Sequence, residues 1–294
     1  MPSDIPQPAQ PAQPQPVLDT HLHLWDRTVS TYAWLPPDGP LHADFTAEQA
    51  HAQLTAARVD HAVLVQAEDS EADTASMLAQ ADRHPWIAGV VGWIRLDDPA
   101  TAERQLDRRQ SHPAFAGVRH LVHDDPRDDF LELPAVRRSL ALLARRGLPF
   151  DVPDAWPRHL TGVTALADAL PELTIVVDHL GKPPADPAAF PAWQAALRAA
   201  AERPNVVAKL SGLQTPGVPF TTEAVRPAAE TALACFGPER LMYGGDWPMT
   251  LPAGGYARAW EITSALIGEL SATERTHILS GTGTRVYGLR EFAR

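Results

Sequence analysis

The feature that most constrains this chain is an alternation repeated eight times. A short apolar run is followed by an Ala/Arg/Glu-rich stretch of helical character. The runs lie at 17–19, 61–66, 87–93, 115–119, 148–151, 173–178, 205–210 and 240–243. The helical stretches lie at 47–58, 71–84, 101–110, 135–146, 159–170, 187–202, 223–235 and 256–269. Continuous apolar strands separated by helices imply parallel pairing with helices covering the sheet. Eight such units match an α/β fold with one (β/α)8 TIM barrel. A doubly wound open sheet is the competitor. Its usual glycine-rich turn after the first strand is missing, since the first run continues as Asp19-Thr20-His21-Leu22-His23.

Length alone does not decide between these architectures. At roughly 100–200 residues per domain, 294 residues allow two small domains or one barrel. The alternation favours one barrel over 17–294, behind a tail at 1–16 that reads MPSDIPQPAQPAQPQP. Proline removes backbone donors and the tail has little to bury, so a disordered or polyproline-like segment is expected there.

Several helix ends carry local signals. Thr46 followed by Gln49 matches a capping box, and Gly147 after Arg145 and Arg146 matches a helix stop. Val136, Leu140 and Leu143 recur on one helical face.

Charge and cysteine content narrow the partners. With 25 Lys+Arg against 36 Asp+Glu, the formal charge is −11. That balance argues against nucleic acid and anionic membranes, which attract clustered cations. The longest apolar run, 86–94, is far short of the ~20 residues of a membrane span. No basic start followed by a hydrophobic stretch marks a signal peptide. The one cysteine, Cys235, cannot form an internal disulfide. A cytoplasmic protein acting on a small-molecule substrate is expected. No heptad or apolar surface pattern sets the oligomeric state.

A barrel gathers its functional residues at the C-terminal ends of the strands. At the first such end, His21 and His23 alternate in extended chain and can converge on one target, and Asp19 shares their parity and could orient or polarise one of them. Neutral imidazole is a common zinc ligand, although two unrelated surface histidines would read the same way. Arg119 and His120 close the fourth run, Asp151 the fifth, and Asp178-His179-Leu180-Gly181-Lys182-Pro183 the sixth. The eighth is followed by Gly244-Gly245-Asp246-Trp247-Pro248. Gln66 and Trp25, near the second and first strand ends, could line the pocket. Trp34, Trp86 and Trp93 read as packing residues.

Taken together, HxH at 21–23, GVRH at 117–120, DHLGKP at 178–183 and GGDWP at 244–248 resemble the amidohydrolase superfamily. Within it they resemble the amidohydrolase-related, sugar-lactonase-like group of L-fuconolactonases, L-rhamnono-lactonases and pyrone-dicarboxylate lactonases. LVQA at 64–67, GVVGW at 89–93, SGL at 211–213 and FGPERLMYG at 236–244 extend the resemblance over about 17–287. It implies a barrel distorted as in amidohydrolases, with His21, His23, His179 and Asp246 surrounding a reactive water. One divalent metal, zinc above others, or none would sit among them. Two departures stand out. The group often has Ser where this chain has Gly245, which removes a hydroxyl. Binuclear members place Lys or Glu at the fourth strand, where Arg119-His120 stands here, so the resemblance implies no binuclear centre.

The expected reaction is opening of a small lactone by water, with Asp246 as general base and the histidines polarising the carbonyl. Arg119, His120, Gln66, Trp25, Asp151 and Lys182 are the candidate substrate contacts, Arg119 being suited to a carboxylate. The alternatives are a metal-dependent decarboxylase of a small aromatic or muconate-type acid and a noncatalytic ligand binder. Loops at 26–43, 124–133 and 248–255 are expected to shape the pocket.

Overall fold

A computed structural model describes residues 15–290. The expectation for the tail falls on 1–14, outside the described residues, apart from its last two positions. Eight parallel strands form one sheet in sequential order. They are β1 (Leu18–Leu22), β2 (His61–Val65), β3 (Ile87–Gly92), β4 (Phe115–Arg119), β5 (Phe150–Val152), β6 (Ile175–Val177), β7 (Val206–Leu210) and β8 (Leu241–Tyr243). Helices follow in turn: α1 (Ala47–Ala57), α2 (Glu71–Arg83), α3 (Pro99–Arg109), α4 (Pro134–Arg146), α5 (Leu160–Ala169), α6 (Phe190–Ala201), α7 (Thr222–Phe236) and α8 (Gly255–Gly268). The alternation is therefore a (β/α)8 barrel, and every expected strand and helix is present within a few residues of its sequence position.

The local signals act as their chemistry requires. Thr46 and Gln49 form a reciprocal capping box on α1, and Gly147 ends α4 in a left-handed conformation that a Cβ would disfavour. Two short helices at the C-terminal end, α9 (Ala272–Thr276) and α10 (Thr282–Val286), have no counterpart in the eightfold pattern.

The strands bury both faces. One apolar cluster lies between sheet and helices; a second fills the barrel interior. Val176, Val207 and Met242 belong to that interior, where the end of the chain adds Val286 and Tyr287. Strand parity then matters: two residues beyond Val176 and Val207 come Asp178 and Lys209, on the same inward face. Polar side chains thus sit directly above an apolar plug.

The barrel closes across its seam through the segment after β8. His23 N–H donates to the Trp247 carbonyl at 2.8 Å, and Asp246 N–H to the His21 carbonyl at 2.7 Å. Closure itself therefore brings His21, His23 and Asp246 together.

Candidate active site

Four side chains meet at the C-terminal end of the barrel, all buried. His21 Nε2 lies 3.0 Å from His23 Nε2. Asp246 Oδ1 is 3.6 Å from His23 Nε2 and 4.0 Å from the Nε2 atoms of His21 and His179. His179 and Asp246 both adopt left-handed backbone conformations, with φ of 55° and 52°. Non-glycine residues hold such angles only where the surroundings over-determine them, a pattern that clusters at functional sites.

Each of these groups is held from behind. The Nδ1 of His23 faces the Val65 carbonyl at 2.8 Å, and a carbonyl only accepts. Nδ1 therefore carries a proton, and Nε2 is the ring nitrogen that faces the cluster. His179 Nδ1 contacts Ser211 Oγ at 2.8 Å. Gln214 Nε2 donates to Asp246 Oδ2 at 3.0 Å, while Asp246 Oδ1 is buried with no hydrogen-bond partner. Burial holds His21 well below its usual range against the pull of Asp178, and burial likewise lowers His179. Asp246, which burial alone would raise, is instead held far below the usual carboxylate range by His179, His23 and His21. It is a carboxylate with one fixed and one open oxygen.

Beneath the histidines lies a wholly buried ionic layer. Lys209 Nζ is 2.7 Å from Asp151 Oδ2, 3.0 Å from Asp178 Oδ1 and 3.1 Å from His21 Nδ1. Arg119 Nε donates to Asp178 Oδ2 at 2.9 Å, and Tyr287 OH to Asp151 Oδ2 at 2.7 Å. Two carboxylates thus face two cations, which is how charges survive in an interior. His21 Nδ1 stands between a donor, Lys209, and an acceptor, Asp178, 3.3 Å away. Its tautomer, and hence whether Nε2 carries a lone pair, is set in this layer.

That donor set fits a single divalent cation. The ligand atoms of His21, His179 and Asp246 lie within 4.8 Å of one another, and His23 Nε2 borders two of them. Imidazole nitrogen and a carboxylate oxygen lacking any other partner are zinc-type ligands.

Above the cluster opens a cavity of about 260 Å³. Of the residues expected from sequence as substrate contacts, Trp25, Arg119 and Lys182 line it. Three others are not among its lining residues. Asp151 is sealed in the ionic layer by Lys209 and Tyr287. His120 turns away after β4, its ring stacked on Phe130 at 4.2 Å and its Nδ1 accepting from the Trp93 indole at 3.1 Å. Gln66 is fully buried and its side chain donates to Asp69.

Asp19, considered as a group that orients or polarises an imidazole, acts on His21 through the backbone. Rather than touching an imidazole, its carboxylate accepts the backbone N–H groups of His21 and Gly245 and the Tyr256 hydroxyl, stapling the seam. Burial raises its pKa to about 7. A Cβ at Gly245 would collide with the Tyr256 ring and with Asp19 Oδ2. Glycine at that position is thus a packing requirement of this chain.

Trp34, read from sequence as a packing residue, lines the cavity, as do His123, Asp154 and Gln214. Each of the three expected pocket loops contributes a wall residue: Trp34, Asp124 and Met249. Lys209 is not among the residues expected at the site, although a lysine inside the apolar run 205–210 is a signal, since lysine is almost never fully buried unpaired.

Known proteins share this arrangement of strands. The chain is 33% identical over 288 residues to an L-fucono-1,5-lactonase of Burkholderia multivorans, covering 93% of this chain and 96% of that protein. It is 32% identical over 241 residues to an L-fucono-1,5-lactonase of Burkholderia ambifaria, covering 81% and 82%. A crystal structure of an amidohydrolase from Burkholderia multivorans with bound Zn superposes with a TM-score of 0.84 at 31% identity, over 94% of this chain and all of the other. The amidohydrolase family model matches residues 18–289, from the first residue of β1 to just beyond α10. The chain belongs to the amidohydrolase family.

Proposed function

We propose that the protein is a lactonase that hydrolyses a sugar-acid 1,5-lactone with water activated by Asp246. The observation that carries this reading is the asymmetry of the Asp246 carboxylate. Gln214 fixes Oδ2, and Oδ1 is left unpartnered among three imidazoles. Its two relatives named L-fucono-1,5-lactonase support a lactone as the substrate class.

The chemistry follows from those atoms. Oδ1 accepts a proton from water as the water oxygen bonds to the lactone carbonyl carbon. Negative charge develops on the carbonyl oxygen of the tetrahedral intermediate, beside the buried His21 and His179 side chains. The intermediate collapses with cleavage of the ring C–O bond. Asp246 returns its proton to the departing ring oxygen, so that water and lactone become one hydroxy acid. A zinc-type ion held by His21, His23, His179 and Asp246 would supply carbonyl polarisation and a lower pKa for water.

The test follows acid release from L-fucono-1,5-lactone. Asp246→Asn should lower kcat about 10²- to 10⁴-fold, the usual range for a general base, and unaltered activity rejects the assignment. Elemental analysis of the purified protein, with chelation and zinc re-addition, tests the metal. Activity lost on chelation and restored by zinc supports the ligand set, and full activity in metal-free protein rejects it. Carbon dioxide release from small aromatic acids, without lactone opening, would favour the decarboxylase instead.

A further inference from the structure

We propose that Asp154 and His123 form a hydroxyl-binding wall that selects an uncharged, polyhydroxylated lactone ring over one that is bare or carries carboxylates. The inference rests on the lactonase reading and deepens it.

Asp154 follows β5 and lines the same cavity as His179 and Asp246. Its backbone is left-handed, with φ of 41°. Its Oδ1 is buried with no hydrogen-bond partner, and so is Nδ1 of His123. A buried carboxylate oxygen without a donor is unfavourable, and the missing donor can come from a ligand. Asp154 shares the cavity lining with His179 and Asp246 at the reacting centre and with His123 on the outer wall, within reach of ring substituents.

The cations of the pocket have other partners. Arg119 donates through Nε to Asp178 and through Nη1 to the Gln66 carbonyl, and Lys182 Nζ donates to the Gly212 carbonyl at 2.7 Å. A carboxylate-bearing lactone would meet Asp154 and Asp124 beside an Arg119 already paired with Asp178 and a Lys182 already bonded to a backbone carbonyl. Trp25 and Trp34 complete the selectivity. Their indole N–H groups donate away to the carbonyls of Ala43 and Ala67, both at 2.7 Å. The two rings thus offer the cavity apolar surface, which suits the C–H faces of a sugar ring.

The experiment compares kcat/KM for L-fucono-1,5-lactone, for δ-valerolactone, which is the same six-membered lactone ring without its hydroxyls and methyl, and for 2-pyrone-4,6-dicarboxylate. Asp154→Gly removes the carboxylate without backbone strain at positive φ. It should lower kcat/KM for the hydroxylated lactone about 10- to 100-fold, as expected for loss of a charged hydrogen bond. It should change the value for δ-valerolactone less than about threefold on the same basis. Asp154→Asn, which keeps one acceptor oxygen, should recover part of the loss. Equal losses on both rings, no loss on either, or wild-type preference for the dicarboxylate overturns the proposal. Should the wild type open no lactone, the lactonase reading fails instead. Calorimetric titration with the neutral pyranose L-fucose then tests the wall by itself: weaker binding to Asp154→Gly supports it, and unchanged binding or none overturns it.

Discussion

Two layers of polar side chains flank the histidine cluster, one wholly buried and one half-buried, and they differ in how their charges are matched. In the floor, Lys209 and Arg119 face Asp151 and Asp178 at 2.7–3.0 Å. Asp151 and Asp178 each keep one oxygen without a hydrogen bond, but that of Asp178 lies 3.0 Å from the Lys209 ammonium, and the other Asp151 oxygen accepts from both Lys209 and Tyr287. In the wall, Asp154 Oδ1, His123 Nδ1 and Gln214 Oε1 are all buried without partners. A matched network resists movement and fixes the groups it touches, here His21. An unmatched one waits for atoms from outside. The difference separates residues that hold the site from residues that read the substrate. It predicts stability effects in the floor and selectivity effects in the wall.

The largest stability effect should come from Lys209→Met. Removing the ammonium leaves Asp151 and Asp178 sharing a dry interior with Arg119 alone, and breaking a buried pair costs about 3–5 kcal/mol. For a chain of this size that lowers Tm by on the order of 10 °C. Thermal unfolding followed by circular dichroism reads the shift. Lys209→Met with Asp151→Asn should recover part of it, because one uncompensated charge is gone. Asp154→Gly, by contrast, should leave Tm within about 2 °C, the scale of a surface substitution. If the two single variants melt alike, the distinction between floor and wall is broken.

How much of this could be read from sequence follows the same division. The barrel and the strand-end positions of His21, His23, His179 and Asp246 rest on periodicity, which a sequence displays, and the grouping of these four around one point is what the resemblance implied. The floor was half visible. Asp178 sits in the DHLGKP motif, but Lys209 hides in VVAKL, where only strand parity and the rarity of an unpaired buried lysine point to it. The wall was largely invisible, because loop conformation decides it. His120 and His123 differ by three positions; β4 ends at Arg119, after which the chain turns His120 onto Phe130 and brings His123 to the cavity. Asp154 depends likewise on a positive φ that no residue pattern announces.

A smaller effect should come from Gly245→Ser, which places on this chain the residue that the resemblance leads one to expect. The new Cβ would run into the Tyr256 ring and Asp19 Oδ2, two of the groups that staple β1 to the segment after β8. Overpacking of this kind costs roughly 1–3 kcal/mol, so Tm should fall by a few degrees. Tyr256→Leu in the same chain makes room for the Cβ and should weaken the penalty, although it removes the hydroxyl that Asp19 accepts. Because the seam also seats Asp246, kcat should fall with Tm. The ratio of kcat/KM between hydroxylated and bare lactones should stay constant, since Asp154 and His123 are untouched. A changed ratio would mean that seam and wall are one unit, and would erase the boundary drawn between holding the site and reading the substrate.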